Sequence, residues 1–164
     1  MLNKIKKIKS IAPLNISIVN FIFQKIFRVD SNCKFSKNYT SRVLCPDEIF
    51  IEDESLSVMK SFAVSGGCYI QACEGLFIGK GTIWSFNVSI ITQGHDINDL
   101  NKIPKVNPIK IGRDCWIGTN STILPGVELG DKTIVGANTV VTKSFPEGNV
   151  ILAGTPAKVI RKIN

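Results

Sequence analysis

The chain of 164 residues holds a single histidine, His95, in the run Gly94-His95-Asp96. An imidazole changes charge near neutral pH and can draw a proton from a weak nucleophile such as a hydroxyl, so His95 is the first residue to consider for general-base work. A lone histidine is more often a satisfied structural residue. Here it stands at a corner of a repeat, where side chains face outward, and it adjoins the one long interruption of that repeat. No Ser or Cys triad is evident, so no acyl-enzyme is required. The five cysteines, Cys33, Cys45, Cys68, Cys73 and Cys115, are odd in number and form no Cys-x-x-Cys pair. They are expected to be reduced thiols of a cytosolic protein rather than a disulfide frame or a zinc site. Cys115, beside Trp116, reads as a small residue at the edge of a core rather than a reactive thiol. Thr142-Lys143 and the pair Lys158 and Arg161 are either a solvated basic end or contacts for phosphate, and the phosphate reading is preferred.

These residues need a scaffold, and the stretch from Ile111 to Pro146 supplies it. In sixes it runs IGRDCW, IGTNST, ILPGVE, LGDKTI, VGANTV, VTKSFP. Every sixth residue is aliphatic: Ile111, Ile117, Ile123, Leu129, Val135 and Val141. Six such hits in one frame arise by chance on the order of one time in a thousand. Gly follows four of them, at Gly112, Gly118, Gly130 and Gly136, easing the backbone round each corner. A period of six is the mark of a β-helix, with three short strands to a triangular coil. Residue i then lies over residue i+18 at the strand spacing of about 4.8 Å. One coil cannot bury its own inner face, so several must stack.

Upstream the same frame carries Ile78 with Gly79, then Trp84, then Ile90. Ile111 follows Ile90 by 21 residues where six would suffice. The surplus, about Asp96 to Lys110, is polar, contains Pro104 and Pro108, and reads as an external loop of functional length. Ile49 to Ile51 is a possible first strand. Val58, Val64 and Ile70, six apart, suggest an irregular coil with Gly66 and Gly67 at a corner. The acidic run Glu52, Asp53, Glu54 reads as a solvated face.

Apolar residues make up 44% of the chain, enough for one folded domain with a real core. The net charge of +7 is uneven. Residues 1 to 28 carry Lys4, Lys6, Lys7, Lys9, Lys25 and Arg28 and no acid, while the other 14 basic residues face 13 acidic ones. Nucleic-acid binding would need a basic stripe across the fold with aromatics interleaved, which is missing. Ile16 to Phe27 is apolar but broken by Asn20, Gln24 and Lys25, with no cleavage site after it, so it is neither a signal peptide nor long enough to span a bilayer. Leu14, Ile18, Phe21, Ile22 and Lys25 fit one helical face, with Pro13 near its start. That helix either packs on the open end of the prism, hiding strand edges, or lies as a basic amphipathic helix on an anionic membrane. The expected division is residues 1–40 as a helical segment and 41–164 as the β-helix.

The coil pattern, GHD before a loop, CWIGTNSTILPGVELGDKTIVGANTVVTK and the tail AGTPAKVIRKI resemble the hexapeptide-repeat acyltransferases, among them galactoside, maltose, serine and xenobiotic acetyltransferases. The likeness is specific from about Ile78 to Ile163. SRVLCPDEIF and the GGCYIQA run look more like the branch that acetylates capsule and O-antigen sugars. The resemblance implies a left-handed parallel β-helix that assembles as a homotrimer, with acetyl-CoA as donor in a cleft between prisms and a sugar or glycan as acceptor. The family's catalytic histidine falls on His95. Its donor contacts map to Thr119, Ala137, Thr142, Lys143, Lys158 and Arg161. Lys158 stands where galactoside enzymes have arginine, so a phosphate contact there would be a point charge, not a fork. Trp116 falls on the family's WIG tryptophan, as a subunit contact or a wall of the substrate cleft, and Asp96 is assigned to that cleft. No asparagine near Cys68 to Gln71 matches the acceptor contact of galactoside enzymes. A carboxylate, Glu128, lies one rung from His95 on an 18-residue count, but a backbone carbonyl is the commoner partner for the ring. No metal is implied: a γ-type carbonic anhydrase shares the prism but needs three histidines. Acetyl transfer to another small acceptor and a non-catalytic scaffold are the alternatives.

Overall fold

The computed structural model describes residues 11–163. Lys4, Lys6, Lys7 and Lys9 lie outside the described residues. The described residues begin with a helix, α1 (Leu14–Phe21), that runs on through a π-helical stretch, Ile22–Ile26. It then winds five coils. The first has β1 (Arg42–Leu44), β2 (Ile49–Ile51) and, in place of a third strand, helix α2 (Leu56–Val64). The second has β3 (Tyr69–Gln71), β4 (Leu76–Ile78) and β5 (Ile83–Trp84). The third has β6 (Ser89–Ile91), β7 (Ile109–Ile111) and β8 (Trp116–Ile117). The fourth has β9 (Thr122–Ile123), β10 (Glu128–Leu129) and β11 (Ile134–Val135). The fifth has β12 (Val140–Val141), a bridge at Phe145 and β13 (Val150–Ala153), against which β14 (Lys158–Lys162) folds back antiparallel.

Stacking these coils makes three parallel sheets, the faces of a prism. The first face is β1-β3-β6-β9-β12, the second β2-β4-β7-β10, and the third β5-β8-β11-β13 with β14 at its edge. The register follows the hexads. Ile111 pairs with Leu129, Ile117 with Val135 and Ile123 with Val141, each 18 residues apart. Ile78 pairs with Ile111 and Ile90 with Ile123, an offset lengthened by the excursion. All six hexad aliphatics are buried in the prism, where each contributes about 1.5–3 kcal/mol of burial.

The corners explain the polar columns. Asn87, Asn120 and Asn138 sit in the left-handed region, with φ of 58°, 58° and 56°, where the short amide side chain is tolerated best after glycine. The glycines beside the aliphatics have a different reason. A Cβ on Gly112 would come within 2.6 Å of Asp131 N, and one on Gly118 within 2.7 Å of Ala137 N. Coil-on-coil contact, rather than the turn itself, requires them.

Three sequence expectations are corrected. Val58 and Val64 lie in α2, so their six-residue spacing marks no coil. This helix finishes the third face: Ser61 Oγ accepts from Trp84 N–H at 3.3 Å, and Ser65 Oγ donates to Trp84 O at 2.8 Å. Serine side chains thus satisfy the β5 edge that a strand would otherwise pair. Second, Cys45 and Cys73 form a disulfide, with Cα atoms 5.1 Å apart, and Cys33, Cys68 and Cys115 are free and buried. The first coil is long because it contains α2, so Leu44 stacks on Gln71 and brings the two cysteines to successive turns of one corner. The thiol argument for a reducing compartment lapses with that pairing. Third, α1 packs on the first-coil end of the prism against α2, as one of the two readings had it, but through Asn20 rather than through its apolar face; Leu14, Ile18 and Phe21 are exposed. Among the described residues no helix is long and apolar enough to cross a membrane.

Candidate active site

Residues 91–95 lead out of β6 on the first face, and the chain re-enters the prism at β7 on the second. His95 therefore stands on the edge between those two faces, exposed, at the root of the excursion. Its Nδ1 is 2.7 Å from the carbonyl oxygen of Leu100. A carbonyl can only accept, so Nδ1 carries the proton and the lone pair is left on Nε2. The base of the loop is tied to itself to hold that carbonyl. Asp96 Oδ1 accepts the N–H groups of Asn98 and Asp99 at 2.8 and 3.2 Å, and Asp96 N–H donates to Lys102 O at 3.0 Å. Lys102 also pairs with Asp99 at 3.3 Å. Asp96, assigned from sequence to the substrate cleft, shapes the loop through its Oδ1. Glu128 does not reach the ring as a partner in this arrangement; it lies outward on β10, 3.5 Å from Lys110 Nζ.

The other sequence candidates fall into two groups. Thr142 and Lys143 follow β12 on the same edge as His95, further along the prism, and both are exposed. The Lys143 ammonium lies 5.7 Å from the centre of the Phe145 ring. Trp116 projects outward from β8 on the third face, 52% exposed, in one register row with Ile83, Ile134 and Ile151. Thr119 and Ala137 lie at the corner between the third and first faces, and Thr119 shares a hydroxyl hydrogen bond of 2.6 Å with Ser85. Lys158 and Arg161 are exposed on β14 at the margin of the third face. In a three-sided prism the third face lies opposite the edge between the other two. Within one chain His95 and Trp116 are on opposite sides and cannot bound the same cleft.

The free thiols offer no rival nucleophile. Burial pushes the Cys33 thiol up to about 11, and burial likewise raises Cys68 and Cys115. A strong ionic contact lies off the candidate site. Arg113 Nε donates to both oxygens of Glu52 at 3.0 and 2.9 Å, and Lys80 N–H adds a bond of 3.0 Å. The guanidinium first, then the amide, hold the Glu52 carboxyl down to about 2. Two contributors could not be read from the sequence: the Leu100 carbonyl, a backbone group, and Ser85, which meets Thr119 only through stacking.

Residues 108–143 match the family model described as "Hexapeptide repeat of succinyl-transferase". The chain is 32% identical over 154 residues to WbbJ of Escherichia coli strain K12, described as a candidate lipopolysaccharide biosynthesis O-acetyl transferase, covering 87% of this chain and 78% of that protein. It is 41% identical over 122 residues to the galactoside O-acetyltransferase of the same strain, covering 73% of this chain and 60% of that one. Among solved structures, a galactoside acetyltransferase in complex with coenzyme A superposes with a TM-score of 0.54 at 26% identity, over 92% of this chain and 80% of that one. The winding is that of the left-handed parallel β-helix expected from the resemblance.

Proposed function

We propose that this chain, which belongs to the hexapeptide-repeat acyltransferase family, moves an acetyl group from acetyl-CoA to a hydroxyl of a sugar in a cell-surface polysaccharide or its precursor. The observation that carries the reading is the contact between His95 Nδ1 and Leu100 O, which leaves Nε2 free to accept a proton beside an open edge of the prism. Nε2 takes the proton of the acceptor hydroxyl as its oxygen attacks the thioester carbonyl. The tetrahedral adduct collapses, the carbon–sulfur bond breaks, and the imidazolium returns the proton to the leaving CoA sulfur. Holding both substrates in one cleft supplies the larger entropic gain. Sugar acceptors are supported by the relatives named for lipopolysaccharide and galactoside acetylation.

The cleft in this reading lies between subunits of a homotrimer. The His95 edge of one prism, with Thr142 and Lys143, meets the third face of the next, with Trp116 as a wall and Thr119, Ala137, Lys158 and Arg161 along the donor. The opposed positions of His95 and Trp116 in one chain support that arrangement. With acetyl-CoA as donor, the reaction runs on the cytoplasmic side.

A thiol-release assay with acetyl-CoA across galactosides, maltose and polysaccharide repeat-unit oligosaccharides tests the reading. Acceptor-dependent CoA release is expected, and His95→Ala should lower turnover by roughly 10²–10⁴-fold with donor binding kept. A protein that consumes acetyl-CoA with none of these acceptors, or a His95→Ala variant as fast as the parent, would overturn it.

A further inference from the structure

Helix α1 docks with its polar residues inward. Asn20, 1% exposed, donates from Nδ2 to Ala63 O at 2.9 Å, and its Oδ1 accepts from Tyr39 N at 3.0 Å. Gln24, 4% exposed, donates from Nε2 to Cys33 O at 3.0 Å and Phe35 O at 2.9 Å. These amides satisfy buried backbone groups, so a rotation that hid the apolar side of the helix would strip four hydrogen bonds from the interior. The helix is thereby locked with Leu14, Ile18 and Phe21 outward at 73%, 51% and 60% exposure. Ile26 and Phe27 continue the apolar surface at 62% and 63%. Lys25 and Arg28 are exposed beside them.

We infer that this face of residues 14–28 is a docking surface for an anionic lipid bilayer. The first 28 residues carry six basic side chains and no acid. Asp30, next along the chain, is already paired with Lys37 and Arg42. Charge decides among occupants: a second copy would bring the same cationic segment against itself, whereas anionic headgroups complement it while Leu14, Ile18 and Phe21 enter the acyl boundary. The inference does not rest on the acyl-transfer reading, because its readout is partitioning alone.

The test is co-sedimentation of the full chain with vesicles of phosphatidylglycerol and, separately, of phosphatidylcholine, at low and high salt. The expected result is binding to phosphatidylglycerol vesicles, weakened by salt, and little binding to phosphatidylcholine. The triple variant Leu14→Ser, Ile18→Ser, Phe21→Ser and the charge reversal Lys25→Glu, Arg28→Glu should each weaken binding about tenfold or more, with subunit number by light scattering unchanged. If the triple variant does not fold, Phe21→Ser alone is read in its place, and a several-fold loss is expected. Wild-type protein left in the supernatant with phosphatidylglycerol would overturn the inference. Equal binding to both lipids, or undiminished binding of either variant, would overturn it too. A change in subunit number in the apolar variant would assign the face to a protein contact instead.

Discussion

A single carbonyl decides which nitrogen of His95 is available, and substitutions can separate orientation from proton transfer. In His95→Asn the side-chain amide can still donate to Leu100 O but offers nothing at the Nε2 position. We expect its loop to keep its backbone, seen as unchanged amide shifts for residues 96–102, while turnover falls by roughly 10²–10⁴-fold. A variant with parental turnover would show that Nε2 takes no proton. The cysteines allow a second test at this scale. Their buried thiols, with Cys33 raised to about 11, remain protonated at neutral pH, and a protonated, covered sulfur is a poor nucleophile. Folded protein should therefore resist iodoacetamide. Unfolding without reductant should release three reactive thiols, and unfolding with reductant all five. Five thiols without reductant would mean that Cys45 and Cys73 are not joined.

The elements differ in how far the sequence announces them. From Ile111 to Val141 the coil is legible because one physical demand, an aliphatic side chain pointing inward, recurs every six residues and each coil rests on another like it. The excursion was legible as a break in that count. α2 was not, since Val58 and Val64 share the hexad spacing by coincidence, and a helix takes the third side of the first coil. Because that helix lengthens the coil, the 28-residue separation of Cys45 and Cys73 hid their stacking. In the site, His95 was legible as the lone imidazole at a corner, but its partner is a backbone atom and carries no residue signature. Two element-level predictions follow from contacts between coils. Gly118→Ala would drive a Cβ to 2.7 Å from the Ala137 backbone, and overpacking of this kind costs about 1–3 kcal/mol, read as a lower denaturant midpoint. Glu52 joins the first coil to Arg113 of the third. Its folded pKa, about 2, lies below the ordinary 4.5, so its stabilising effect is present above pH 4.5 and is lost as pH falls toward 2. Glu52→Gln should unfold more easily than the parent at pH 6, with the gap closing as pH falls from 4.5 toward 2. Acid titration of the midpoint checks this, and a constant gap across that range would contradict it.

For the molecule as a whole, the decisive fact is that a prism has an edge opposite each face. His95 stands on one edge and Trp116 on the face across from it, so a working site built from both must take them from different copies. This makes a prediction that a merely structural tryptophan would not satisfy. His95→Ala and Trp116→Ala should each assemble and each be nearly inactive alone. When the two are mixed during refolding or coexpressed, the proposed homotrimer would give every mixed assembly one junction where an intact His95 meets an intact Trp116. Random assembly in equal amounts should then restore roughly a quarter of parental activity. A site held inside one prism gives no recovery, because each chain lacks one of its parts. If one of the two residues were dispensable, its variant would be active alone and the equal mixture would keep about half of parental activity, so the size of the return separates the three cases without any knowledge of the acceptor sugar beyond one that turns over.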